Sequence, residues 1–151
     1  MFKPGRLLYF DPFVFKNGAD PKKKYFLVLH KGTDGVLLAS LPTSRDHIPS
    51  DMIVRPGVYD FPERMVSVYA FMAGQEIATD PCSGARFSFP RNTFIYGEQL
   101  GAYREDIFRM QEKSGISSIQ IVGDLDEEIF NEIKSFLKQS IMVRKGFQKL
   151  L

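Results

Sequence analysis

The chain has 151 residues, 44% of them hydrophobic and 25% charged, with 20 Lys/Arg set against 18 Asp/Glu. That length suits one domain with its own core, and the composition excludes wholesale disorder. A single cysteine, Cys82, and two histidines exclude an intrachain disulfide and leave a structural zinc knuckle without its ligands.

In chain order, Gly5 to Phe10 reads as a strand that Asp11-Pro12 ends, because proline removes a ladder donor. Phe13-Val14-Phe15 follows as an apolar sequel. Lys16 to Lys24, with Asn17-Gly18, Asp20-Pro21 and three consecutive lysines, is a loop by its turn chemistry. Tyr25 to His30 is a continuous apolar run and predicts a buried strand. Gly32 to Gly35 is a hairpin turn, and Val36 to Leu41 is the returning strand. From Thr43 to Pro62 the prolines predict loop. Met65 to Met72, Arg86 to Phe89 and Thr93 to Tyr96 predict further strands, with Ala73 to Pro81 a break. Residues 102–113 predict a short helix with Ile107, Phe108 and Met110 on one side, and Ser118 to Val122 a last strand. The spacing of Ile129, Phe130, Ile133, Phe136, Leu137 and Ile141 predicts a helix over Asp126 to Val143, about 27 Å long at 1.5 Å per residue. Asp124 and Glu127 have capping-box spacing at its start. The expected fold is therefore mainly β, with a short helix and a long C-terminal capping helix, in a single domain over 1–151.

Charge is segregated along the chain. Residues 1–31 carry seven Lys/Arg and two Asp/Glu, residues 104–132 three and eight, and residues 133–151 five and none. A basic patch of this kind attracts a polyanion or an acidic protein, although charged loops also serve solubility alone. The longest apolar run, Val36 to Ala39, is far short of the ~20 residues that span a membrane. The start of the chain has no secretory pattern, and the lone cysteine fits a reducing compartment, so a cytoplasmic location without membrane contact is expected. No GxxxxGK[ST] or GxGxxG pattern supports a nucleotide loop, and no cofactor is expected.

The landmarks run in a particular order. Gly5-Arg6-Leu7-Leu8-Tyr9-Phe10-Asp11-Pro12 precedes a charged, glycine-containing loop. Lys24-Tyr25-Phe26-Leu27-Val28-Leu29, a hairpin and Leu41-Pro42-Thr43-Ser44 follow. Downstream come Asn92-Thr93-Phe94-Ile95-Tyr96 and Ile121-Val122-Gly123-Asp124-Leu125 before the final helix. This order resembles the MazF/PemK family of toxins of toxin–antitoxin systems, best over residues 5–44 and more weakly over 92–140. Residues 45–91 have no counterpart and form an insertion atypical of that family. The resemblance implies an SH3-like β-barrel with a C-terminal helix and a homodimer. It also implies metal-independent cleavage of single-stranded RNA to 2′,3′-cyclic phosphate ends, countered by a small acidic antitoxin. The family's arginine at the start of its second strand corresponds to Lys24 or Lys23, since its Arg-Pro pair is Lys24-Tyr25 here. Its threonine or serine after the third strand corresponds to Thr43 with Ser44.

Cleavage of RNA needs proton transfer at the 2′-hydroxyl and the leaving oxygen, and cations on the developing phosphorane. The expected catalytic set is accordingly Lys24, Thr43, Ser44 and His47, the last because imidazole titrates near neutrality. Lys16, Lys22, Lys23 and Arg45 are expected to hold phosphates. Tyr9, Phe13 and Phe15 flank these cations, the arrangement by which single strands are stacked, although core packing also accounts for them. The alternative function is a non-catalytic relative that binds nucleic acid or a protein partner with the same face.

Overall fold

The computed structural model describes residues 1–151. Ten strands alternate with few helices: β1 (Arg6–Phe13), β2 (Lys22–Lys31), β3 (Gly35–Ser40), β4 (Gly57–Phe61), β5 (Val66–Phe71), β6 (Ala78–Thr79), β7 (Arg86–Phe87), β8 (Thr93–Tyr96), β9 (Leu100–Arg104) and β10 (Ser118–Leu125). The helices are α1 (Glu105–Lys113), α2 (Glu127–Gln139) and the single turn α3 (Lys145–Gln148). Every strand pairing is antiparallel. A seven-stranded sheet runs β7-β6-β10-β1-β2-β3-β9, and a three-stranded sheet runs β4-β5-β8. The fold is mainly β, as expected, but the two sheets do not join into a closed barrel.

Strand alternation sorts the apolar residues into three layers. One face of the large sheet gives Leu7, Leu27, Leu29, Leu37 and Ala39 to a core shared with Tyr69, Phe71 and Ile95 of the small sheet. Helix α2 closes that core with Ile133, Phe136 and Leu137. The opposite face gives Leu8, Phe10, Phe26, Val28 and Leu38 to a second, aromatic-rich cluster under Phe108 of α1. The outer face of the small sheet (Val66, Val68, Phe94, Tyr96) is covered by Ile48, Met52 and Val54 from the segment between β3 and β4. Burying each of these large side chains stabilises the fold by roughly 1.5–3 kcal/mol.

Several boundaries depart from the sequence reading. β1 runs through Asp11-Pro12 to Phe13, because the β1–β2 register shifts between Phe10 and Phe13 and proline sits in that irregularity. Three strands lie outside the sequence reading: β4 inside the proline-rich stretch, β6 inside the expected break, and β9, which takes residues 100–104 and delays α1 to Glu105. β9 pairs along its whole length with β3, so a ladder decides what propensity left open. In α1 only Phe108 of the expected apolar side is buried; Ile107 and Met110 are exposed.

Helix α2 stops at Gln139, making it about 20 Å long, four residues short of the expected end. Ser140 is extended there and its Oγ hydrogen-bonds Ser67 Oγ in the interior. The capping box does not form. Asp124 lies within β10 and holds Arg6 at 2.7 Å, while Asp126 is the N-cap and gives its carboxylate to Arg86 at 2.6 Å instead of to the helix. No helix is long and apolar enough to cross a membrane.

Candidate functional site

Residues of three neighbouring strands line a groove of about 420 Å³: Tyr9 in the middle of β1, Lys22 to Tyr25 at the start of β2, and Leu41 to Ser44 after β3. Register places the residues opposite one another. Tyr9 faces Tyr25 across the β1–β2 ladder, and their rings lie 4.7 Å apart, tilted by 50°. Tyr25 in turn meets Phe89 edge-on at 5.2 Å. Burial, with Tyr9 beside it, pushes the Tyr25 phenol above its ordinary range.

The segment carrying Thr43 and Ser44 is held from both sides. Leu41 N–H donates to Tyr25 O at 3.2 Å, and Phe94 N–H donates to Pro42 O at 2.9 Å. The Tyr96 hydroxyl then donates to Ser44 O at 2.6 Å. Burial drives the Tyr96 phenol up to about 12, so it stays a neutral donor. Backbone bonds from two sheets thus fix the segment, and the Thr43 and Ser44 side chains are exposed at the groove.

The expected site residues divide on this geometry. Lys22, Lys23, Thr43 and Ser44 come together at the groove. Lys23 is solvated, 68% exposed in its side chain, with Asp11 4.0 Å away. Lys24 shares the groove wall, but its ammonium lies elsewhere, 5.4 Å over the Phe15 ring and 5.6 Å over the Phe26 ring. Those rings belong to the aromatic cluster on the opposite face of the sheet. Period-2 alternation separates Lys23 and Tyr25, on one face of β2, from Lys24 and Phe26 on the other; Lys22 shares the latter side but, as the strand's first residue, is exposed at the groove's edge. Burial and neighbouring Lys22 hold the Lys24 ammonium below the usual lysine range.

Three other expected residues stand outside the groove. Lys16 donates to Ala102 O on β9 and lies 4.2 Å over the Tyr103 ring. Arg45 donates to Pro49 O and Met52 O, closing the loop that covers the small sheet. His47 packs edge-on against Tyr96 at 4.9 Å. Of the flanking aromatics, Phe13 is buried core and Phe15 sits under Lys24. The apolar run alone places Tyr25 only in a buried strand; its part in the groove comes from pairing with Tyr9 on the neighbouring strand, which needs the register to be seen. Arg86 of β7 adds no free cation to this face, since Asp126 and Glu76 occupy it.

Chemically, the groove offers two solvated ammonium groups, two hydroxyls and a pair of aromatic rings. The described groups include no cluster of three or more metal-ligating side chains. No protein-family model matches the chain, and no curated protein matches it.

Proposed function

We propose that the groove binds single-stranded RNA and that the chain is a divergent toxin component of the MazF/PemK type, with its bent sheets corresponding to an SH3-like barrel. The observation that carries this reading is the convergence of Lys22 and Lys23, the Thr43-Ser44 pair and the Tyr9–Tyr25 rings on one groove. Single strands are held by that combination: cations along the backbone and aromatic faces for bases, with stacking contributing ~1–3 kcal/mol per base. In the proposed reaction, metal-independent cleavage to 2′,3′-cyclic phosphate, Lys23 supplies the cation in place of Lys24. Thr43 or Ser44 donates to a nonbridging oxygen. A small acidic antitoxin covers the same lysines, and the working unit is a homodimer.

A second reading, a barrel that binds RNA without cutting it, is favoured by the position of the Lys24 ammonium and by His47, packed on Tyr96 away from the groove wall. One experiment separates the two. Wild type, Thr43→Ala and Ser44→Ala are incubated with single-stranded RNA in EDTA, and the ends are analysed. Cleavage that falls ~10²–10³-fold in one alanine variant and hardly in the other supports the enzyme, as the loss of one preorganised donor would do. Binding without cleavage in all three proteins leaves the binding module. No binding to single-stranded RNA removes both.

A further inference from the structure

The face of the large sheet turned away from the groove carries a second concavity, of about 280 Å³. Its walls are Phe15, Phe26 and Tyr103, and its polar groups are Lys24, Ser40 and Gln99. Three observations are unexplained by packing alone. Lys24 is half-buried among rings yet makes no ion pair; the only charged neighbour acting on it is another lysine, Lys22. Ser40 is 9% exposed, and its Oγ has no hydrogen-bond partner. A buried hydroxyl left unpaired is costly, and native structures seldom tolerate one without a reason. Finally, register brings these groups side by side: Ser40 lies opposite Phe26, two residues along the same face from Lys24, and Ser40 N–H donates to Gln99 O.

We propose that this concavity is a binding site for a small organic carboxylate with an aromatic or apolar body. The carboxylate would take the Lys24 ammonium on one oxygen and the Ser40 hydroxyl on the other, and the Gln99 amide is placed to add a third donor. The body would lie against Phe15, Phe26 and Tyr103. A single ammonium with one hydroxyl and one amide matches a monoanion rather than a phosphate, which draws on several cations or a row of backbone N–H groups. Hydrophobic residues make up five of the eight that line the concavity, and a bare inorganic ion would leave them without a partner. The unpaired Ser40 hydroxyl and the unneutralised ammonium are the features such a ligand would satisfy together. This site is independent of the proposed RNA groove, because its polar groups face the other side of β2.

The test uses the full chain, labelled with ¹⁵N, titrated with 3-phenylpropionate and separately with 3-phenylpropionamide, each to millimolar concentration. The expected result is saturable shift of the backbone amides of Lys24, Ser40, Gln99 and Leu100 by the acid. The amide should bind roughly tenfold or more weakly, the usual loss when a charge-assisted bond becomes a neutral one. Lys24→Met, which keeps the apolar stem, should lose the preference for acid over amide. Lys24→Arg should retain it, and Ser40→Ala should weaken the acid without removing that preference. Lys23→Gln should change nothing. Equal affinity for acid and amide, an acid preference surviving in Lys24→Met, or shifts confined to the groove residues Tyr9, Thr43 and Ser44 would overturn the proposal. So would the absence of any saturable shift. Should Lys24→Met prove unfolded, the acid–amide comparison on wild type and Ser40→Ala still decides.

Discussion

Lys23 and Lys24 are neighbours in the chain and opposites in the molecule. Lys23 stands in solvent on the face that carries Tyr9 and Tyr25; Lys24 lies over Phe15 and Phe26 on the other. The two faces of one sheet have been given different characters by the pleat alone. One is an open groove with two hydroxyls and two exposed cations. The other is an aromatic pocket with a desolvated cation and an unpaired hydroxyl. A run of three lysines is therefore not one basic patch. On a strand, consecutive charges serve separate sites, and their electrostatics differ: screening weakens the exposed one, while burial makes the other demand a partner.

The comparison can be broken at several points. The largest effect is expected from the helices that close the two faces. Phe136→Ala in α2 and Phe108→Ala in α1, buried in different clusters, should each cost about 3–5 kcal/mol in urea unfolding. A loss near zero for either would mean that its face is not a packed core. Gly97→Ala comes next. A Cβ there would meet Ser67 Oγ at 2.5 Å and Ser140 Oγ at 3.2 Å, so overpacking should cost about 1–3 kcal/mol. Ligand binding on either face should be untouched in the folded fraction; a change in either affinity would show that the faces are coupled through the small sheet.

Salt sharpens the contrast between the lysines. Replacing Lys22 and Lys23 with glutamine should reduce the slope of log affinity for single-stranded RNA against log salt by about 1.4, at ~0.7 per phosphate. Lys24→Gln should leave the slope as it was. Equal slopes for all of these proteins would make the groove lysines merely solvated. The smallest effect is expected at Asp124, whose pairing with Arg6 lies on the β1–β10 ladder shared by both faces. The Arg6 hydrogen bond holds the Asp124 carboxyl below its ordinary value. A depressed folded value means that the folded form takes up the proton less readily than the unfolded chain. Its stabilisation is present above about pH 4, the unfolded value, and is lost as pH falls through the folded one. Asp124→Asn should flatten this part of the acid limb; an identical acid limb in the variant would show that the pair contributes nothing.

What could be read from residues alone was the material whose signal is local. Tyr25 to His30, Val66 to Phe71 and Thr93 to Tyr96 announce themselves by apolar runs, and α2 by its periodicity. β4 and β9 did not, because Gly57-Val-Tyr-Asp-Phe61 and Leu100-Gly-Ala-Tyr-Arg104 are held by their partners β5 and β3 rather than by propensity. The helix start misled for a similar reason. Asp124 and Glu127 fit a capping box, but Arg6, 118 residues away, competes for the first carboxylate. The groove was half legible: Lys22, Lys23, Thr43 and Ser44 stand in it, on segments the landmarks had singled out. Lys16, Arg45 and His47 were near in sequence yet are turned to Ala102, Met52 and Tyr96 by contacts no spacing rule contains. Lys24 needed only the alternation of its own strand, once the strand was known to begin at Lys22 rather than Tyr25.

The paired phenols of Tyr9 and Tyr25 have an optical consequence. The chain contains six tyrosines and no tryptophan, so its intrinsic emission belongs to phenol rings alone. Two of those six rings stand in the groove, 4.7 Å apart, and a third, Tyr103, walls the concavity on the far side of the sheet. Both sites therefore carry a native chromophore and need no label. A base laid on the Tyr9–Tyr25 pair would quench one part of the emission, and an occupant beside Tyr103 another. Replacing Tyr9 or Tyr103 with phenylalanine assigns each part to its face of the sheet.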